Sequence, residues 1–188
     1  MTDRREEILR AALRLIGSRG MHHVTHRDVA AEADVPLGST TYYFATKEEL
    51  LTEALRLFVA EEAARLHAAA ERFQGVRAGP EVVADAIVAE IGTTLTRPVE
   101  QVAQFELYLE ASRDPALRET AVESLRAYAE VAELGLRAAG VRDPAGAAAV
   151  VVAAVDGLGL HRLAAGPDAA AVGPSLARLW RALTVERA

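Results

Sequence analysis

The chain has 188 residues, 27 acidic and 21 basic, for a formal net charge of −6, and it contains no cysteine. Its length suits one ordinary domain, or a small head on a larger body, and is ample for a core without staples. The lack of cysteine excludes disulfides, thiolate metal sites and a cysteine nucleophile.

Alanine occurs 40 times and arginine outnumbers lysine 20 to 1, a composition that favours helices. The first residues are charged where a secretory signal would turn apolar. The most apolar stretch, residues 145–155, is cut by Asp156 at roughly half the ~20 residues that a membrane span requires. We therefore expect a soluble cytoplasmic protein with no membrane partner. The charge is unevenly placed: residues 1–60 carry a net −1 (8 basic, 9 acidic) and residues 61–188 a net −5 (13 basic, 18 acidic). A polyanion is expected to approach the N-terminal third.

Proline and glycine punctuate the chain, and every segment between them shows helical spacing with no period-two run. The expectation is an all-α fold. A first helix spans about 3–19, with Asp3 and Glu6 as its capping pattern and Ile8, Ala12, Leu15 and Ile16 as its buried stripe. Thr25 caps the second helix, with Asp28 placed to reach back and Val29, Ala30 and Ala33 facing inward. After a tight turn at Asp34-Val35-Pro36, a very short helix covers about 37–43. Thr46, with Glu49 three residues on, opens a helix reaching about residue 73, roughly 40 Å long. Five more helices are expected at about 80–95, 98–113, 115–139, 144–165 and 168–186. A head of residues 1–47 thus joins a body of residues 48–188 inside a helix.

The informative stretch is residues 25–47. A medium helix, a short turn and a short helix make a helix-turn-helix, which presents its second helix to the DNA major groove. Gly38 and Ser39 keep the start of that helix slim. Thr40, Thr41, Tyr42 and Tyr43 supply hydroxyls and flat rings for phosphate and base-edge contacts. Lys47, the sole lysine, sits on the first turn of the next helix, where free N–H groups also attract phosphate. Thr25 and the following turn offer a second anchor. His22, His23 and His26 lie across a turn and a helix start without a His-Glu-x-x-His pattern, so no metal site is expected.

These residues resemble the tetracycline-repressor-type (TetR) family of bacterial transcriptional regulators. The likeness rests on Ile8-Leu9-Arg10-Ala11-Ala12-Leu13, Gly20, Val24-Thr25, Val29-Ala30, Ala33 and Val35. It continues through Gly38-Ser39, Tyr42-Tyr43-Phe44 and Lys47-Glu48-Glu49-Leu50-Leu51. It covers about the first 50 residues, and nine helices in all fit the family. In the body, Phe105-Glu106-Leu107-Tyr108, Arg113-Asp114-Pro115 and Asp156-Gly157-Leu158 are weaker echoes. The resemblance implies a homodimer that binds a palindromic operator in double-stranded DNA and releases it when a small-molecule effector enters the body, with no cofactor. By position, Thr25 and Lys47 hold phosphates, while His26, Arg27, Leu37, Gly38, Ser39, Thr41, Tyr42 and Tyr43 belong to the same DNA-facing set. Thr41 stands where the family usually has tyrosine, with Tyr42 one place later. Asp34 stands for the usual glycine of the turn, and tolerates a left-handed backbone better than most residues. Pro36 replaces the usual capping residue.

In the body, Gln104, Glu106, Tyr108 and His161 are polar residues on otherwise apolar helices. An effector pocket would set such groups among apolar walls, for which Phe58, Leu66, Phe105, Leu109 and Leu125 are candidates. Asp156 interrupts a very apolar helix and needs a partner if buried; the resemblance, through the family's recurring Arg-Asp-Pro, makes Arg113 the candidate. Val151, Val155, Leu158 and Leu163, with Leu176, Leu179, Trp180 and Leu183, exceed what one small core requires and are expected to form a four-helix dimer interface. Two rival classes are an all-α enzyme and a helical protein-interaction module. Against the enzyme stands the lack of a Glu-x-x-His carboxylate signature, a phosphate-binding glycine loop and a nucleophile elbow.

Overall fold

A computed structural model describes residues 3–71, 97–166 and 172–185. All regular structure among them is helical: α1 (Arg4–Arg19), α2 (His26–Glu32), α3 (Leu37–Tyr43), α4 (Lys47–Glu71), α5 (Pro98–Ala111), α6 (Pro115–Ala138), α7 (Pro144–Ala165) and α8 (Val172–Val185), with a 3-10 turn at Met21–His23. The helix expected at about 80–95 lies outside the described residues. So do the expected end of α4 near residue 73 and the start of the last helix near residue 168.

The chain divides into two compact units, one holding the described residues of Met1–Glu62 and Arg97–Glu123, the other those of Ala63–Thr96 and Ser124–Ala188. In the first, α1 begins at Asp3, whose carboxylate accepts from the Arg5 N–H. It ends at Gly20, at φ 78°, whose N–H returns to the Ile16 carbonyl at 2.9 Å. Its buried stripe is Ile8, Leu9, Ala11, Ala12, Leu15 and Ile16, the three- and four-residue spacing of one helical face. Onto this stripe pack Val24 and Val29, Phe44 between α3 and α4, Leu50, Leu51, Ala54, Leu55 and Phe58 of α4, and Ala103 and Leu107 of α5. Each fully buried aliphatic side chain of this kind contributes about 1.5–3 kcal/mol over leaving it in water. That contribution holds the three short head elements, because helices of seven residues are unstable alone.

Pro98 opens α5 at its first turn, the helical position where a missing N–H costs nothing. The crossing of α1 over α5 is close enough to require glycine. A Cβ on Gly17 would stand 2.3 Å from the Val99 carbonyl oxygen.

In the second unit a smaller core joins Leu136, Ala139, Ala148, Val151 and Trp180, flanked by Val155, Leu179 and Leu183. Asp143 caps α7 by accepting from the Gly146 N–H at 3.0 Å. α7 covers the 144–165 expected of it, and by length and composition alone it matches a membrane span. Its apolar residues are unevenly used: Ala148 and Val151 are buried, whereas Val150 and Leu160 are 53 % and 52 % exposed. In the first unit Arg113, two residues past the end of α5, meets Glu110 of that helix at 2.7 Å.

Candidate nucleic-acid interface

Helix α2 is fixed at its start by a reciprocal cap. The Asp28 N–H donates to Thr25 Oγ1, and the Thr25 N–H donates to Asp28 Oδ2 at 3.0 Å. The hydrogen bond from the Thr25 hydroxyl is the main cause that holds the Asp28 carboxyl below its ordinary value, with the Thr25 N–H, Arg19 and Arg27 adding to it. At its other end the Asp34 N–H returns to the Ala31 carbonyl and the Val35 N–H to the Ala30 carbonyl, a Schellman ending. Such an ending needs one left-handed residue. Asp34 adopts it at φ 54°, as its short polar side chain permits.

Pro36 leads straight into α3, its carbonyl accepting from the Ser39 N–H at 2.8 Å. The helix has an inner and an outer side. Thr40 is wholly buried and returns its hydroxyl to the Leu37 carbonyl at 2.8 Å. Phe44, just past the helix end, is 1 % exposed and has the Arg5 guanidinium 5.2 Å over its ring, an attractive arrangement. Arg5 is in turn held by Glu53 at 2.8 Å.

Outward stand Leu37, 44 % exposed, Gly38, Thr41 and Tyr42, 82 % exposed. Tyr43 is half-buried, edge-on to Tyr42 with ring centroids 5.2 Å apart. A Cβ on Gly38 would meet nothing within 4 Å. The protein's own packing therefore gives no reason for a glycine there, whereas close approach of an outside molecule does.

Two cations flank this surface. Arg27 is exposed and makes no salt bridge among the described residues. The Lys47 ammonium donates to the His22 carbonyl at 2.9 Å and has no carboxylate partner among the described residues. By contrast Arg10 and Arg14 are neutralised by Glu6, Glu61 and Glu32. Thr25 is exposed and Ser39 half-buried. His26 turns its ring inward: both ring nitrogens are buried and bond to nothing among the described residues. Among these residues no three His, Asp or Glu side chains gather as a metal site.

The effector-pocket candidates fall in both units. In the first, Phe58 and Gln104 are buried, and the Gln104 amide donates to the Tyr108 hydroxyl at 3.0 Å. Phe105 stands edge-on to Tyr108 at 6.4 Å, and Leu109 is exposed. In the second, Leu66 is buried while Leu125 and His161 are exposed. Of the residues assigned to dimer formation, Val151, Leu176 and Trp180 are buried within the second unit, and Val155, Leu158, Leu163, Leu179 and Leu183 keep partial exposure. Sequence reasoning placed a turn near His22 and His23 and noted Glu106 as a polar group on an apolar helix, but it missed Glu110 and the tie of both carboxylates to the turn at Met21–His23. Their spacing of one helical turn on α5 was the available signal.

A short helix with a bare, aromatic and unpaired outer side, set across a Schellman turn from a capped partner, is the geometry of a helix-turn-helix DNA-binding regulator. The profile described as "Bacterial regulatory proteins, tetR family" fits residues 8–54, and that of the "Tetracyclin repressor-like, C-terminal domain" fits residues 78–182. The chain belongs to the TetR family of transcriptional regulators.

Among its relatives, the HTH-type transcriptional regulator BetI of Agrobacterium fabrum is 30 % identical over 175 residues, 92 % of this chain and 84 % of BetI. The TetR-family protein SCO1917 of Streptomyces coelicolor A3 is 35 % identical, with a TM-score of 0.73 over 95 % of this chain and 98 % of that one. The multidrug binding protein EbrR, solved with ethidium, is 36 % identical, with a TM-score of 0.67 over 94 % of this chain and 98 % of EbrR.

Proposed function

We propose that this regulator is a ligand-responsive repressor. It binds a palindromic operator as a homodimer and leaves it when a small molecule occupies the body. Residues 1–47 read the DNA, and residues 48–188 dimerise and bind the effector. The observation that carries the reading is the outer side of α3, where Gly38 is bare for no internal reason beside the 82 % exposed Tyr42. Thr25 and Lys47 hold phosphates. Arg27, Leu37, Gly38, Ser39, Thr41, Tyr42 and Tyr43 meet the groove floor and walls. His26, with its ring turned in, serves through its backbone at the start of α2.

The hydrogen-bonded pair Gln104 and Tyr108 on α5 supplies polar lining for the effector among apolar neighbours. The protein acts in the cytoplasm as a regulator and not as a catalyst. Dimerisation covers the exposed apolar residues of α7. Two recognition helices related by the dimer axis then meet half-sites one helical turn apart. Effector binding must favour a state in which that match is lost, since a ligand shifts an equilibrium only by its differential affinity.

The test is a mobility-shift titration with DNA upstream of the protein's own gene. Ethidium, proflavin and malachite green, each seen bound to EbrR, form the first effector panel. Retardation of that DNA over a random-sequence duplex, reversed by an effector, is the expected result. Equal affinity for both duplexes sinks the operator reading.

A further inference from the structure

Met21–His23 is a single 3-10 turn that buries none of its residues, yet it is tied to α5 from two sides. The Met21 N–H donates to Glu106 Oε2 at 3.2 Å. One helical turn along, Glu110 Oε1 accepts from His22 Nε2 at 3.1 Å and from the Arg113 guanidinium at 2.7 Å. Glu110 is nearly buried, its side chain 11 % exposed. A carboxylate in such a place is retained only where donors satisfy it, and here one of those donors belongs to the turn.

The same turn also seats the proposed phosphate anchor. The His22 carbonyl is the acceptor that the Lys47 ammonium reaches at 2.9 Å. An ammonium has three donors, so this bond leaves two for a phosphate. It also removes rotamer freedom that a free lysine would otherwise lose on binding.

We propose that Glu106 and Glu110 are positioning residues for DNA binding. They touch no DNA themselves; they fix the His22 carbonyl that holds Lys47 ready for a phosphate. This rests on the assignment of Lys47 to a phosphate made above. Loosening either carboxylate frees the turn, returns Lys47 to its rotamer ensemble and weakens binding through that one contact.

The experiment is a set of anisotropy titrations on a labelled duplex from upstream of the protein's own gene, with thermal unfolding of every variant. Glu106→Ala and Glu110→Ala are each expected to lower affinity about three- to tenfold, the range that one net hydrogen bond supports. Glu106→Gln and Glu110→Gln, which keep an acceptor oxygen, are expected to recover most of it. In a Lys47→Ala background neither alanine variant should cost anything further.

Unchanged affinity in the alanine variants overturns the proposal. So does an equal loss with and without Lys47, which would mark a general effect on the fold. Should Glu110→Ala fail to fold, His22→Ala, which removes the turn's side-chain tie to Glu110 and leaves the carboxylate in place, takes its part: a loss that depends on Lys47 supports the role of Glu110, and parental affinity overturns it. If Lys47→Ala alone changes neither affinity nor salt dependence, the phosphate assignment fails first and the positioning role with it. A loss on Lys47→Ala with intact Glu106 and Glu110 variants rejects the positioning role alone.

Discussion

Thr25 and Asp28 cap each other: the Asp28 N–H donates to Thr25 Oγ1 at 3.2 Å while Asp28 Oδ2 accepts from the Thr25 N–H at 3.0 Å. The helix they open has seven residues, too few to hold itself in water. The cap satisfies N–H groups that would otherwise be orphaned at its start, and so it sets the angle from which α2 presents Arg27 and supports α3.

That cap has a pH signature. Asp28 is held below its ordinary value by the Thr25 hydroxyl first, and Glu53 by Arg56 first and then by Arg5. A carboxylate depressed in the folded state stabilises the fold above its unfolded value, about 3.9 for Asp and 4.3 for Glu. The contribution fades as pH falls through the folded value. The head should therefore lose stability progressively below about pH 4. Asp28→Asn should flatten the acid limb of melting temperature against pH while lowering the neutral plateau. An acid limb identical to that of the parent would remove Asp28 from this account.

Lys47→Ala should lower affinity for every duplex to a similar degree, because a phosphate carries no sequence information. It should also reduce the slope of log K against log salt by about 1, the signature of one lost phosphate contact. Titrations at several salt concentrations check both. Parallel salt plots for parent and variant count against the contact.

Tyr42 and Arg27 should behave differently. Tyr42 is the most exposed large apolar side chain among the described residues, and Arg27 lacks a salt bridge there. Replacing either with alanine should cost about 1–3 kcal/mol on the preferred sequence and less on others, narrowing discrimination. Selection from a randomised duplex pool reads this directly. A uniform loss across the pool would assign the residue to phosphate instead of base edges.

Much of the head was legible because its signals are local. Asp3, Thr25, Gly20 and Pro36 mark helix limits by their own backbone preferences, and α3 runs over Leu37–Tyr43 as its spacing predicts. Asp34 at φ 54° was readable as well, since few side chains accept that conformation. Long-range features were not. The turn at Met21–His23 is tied to Glu106 and Glu110, some 85 residues away in sequence, and nothing local in Met-His-His announces that tie. The inward ring of His26 follows from tertiary packing and not from its place at a helix start. Thr46 does cap α4 as expected, accepting from the Glu49 N–H at 3.1 Å, while the Glu49 carboxylate reaches one residue further, to the Ala45 N–H at 2.7 Å.

Gly17→Ala tests the crossing of α1 and α5. The new Cβ would lie 2.3 Å from a backbone oxygen of Val99 and 2.5 Å from its Cγ1, and a helix backbone yields less readily than a flexible side chain. The better helix propensity of alanine is worth up to about 1 kcal/mol. Overpacking costs about 1–3 kcal/mol, so the net effect should be destabilising. Denaturant unfolding should show a lower midpoint with an unchanged slope. A stabilised variant would mean that the two helices separate freely.

The face left open on α7 gives the last prediction. Val150 and Leu160 stand 53 % and 52 % exposed on a helix of mostly apolar composition, and the proposed dimer would take them out of water. A two-fold interface buries the same patch from both partners, so one substitution is felt twice. Leu160→Glu therefore sets two carboxylates near the dimer axis, each losing water, and burial of unpaired charge is strongly unfavourable. Sedimentation equilibrium should show the parent as a dimer and the variant shifted towards monomer. Operator affinity should fall with it, because a single head contacts one half-site only. A variant that remains dimeric and binds as the parent does would place the interface away from this face of α7.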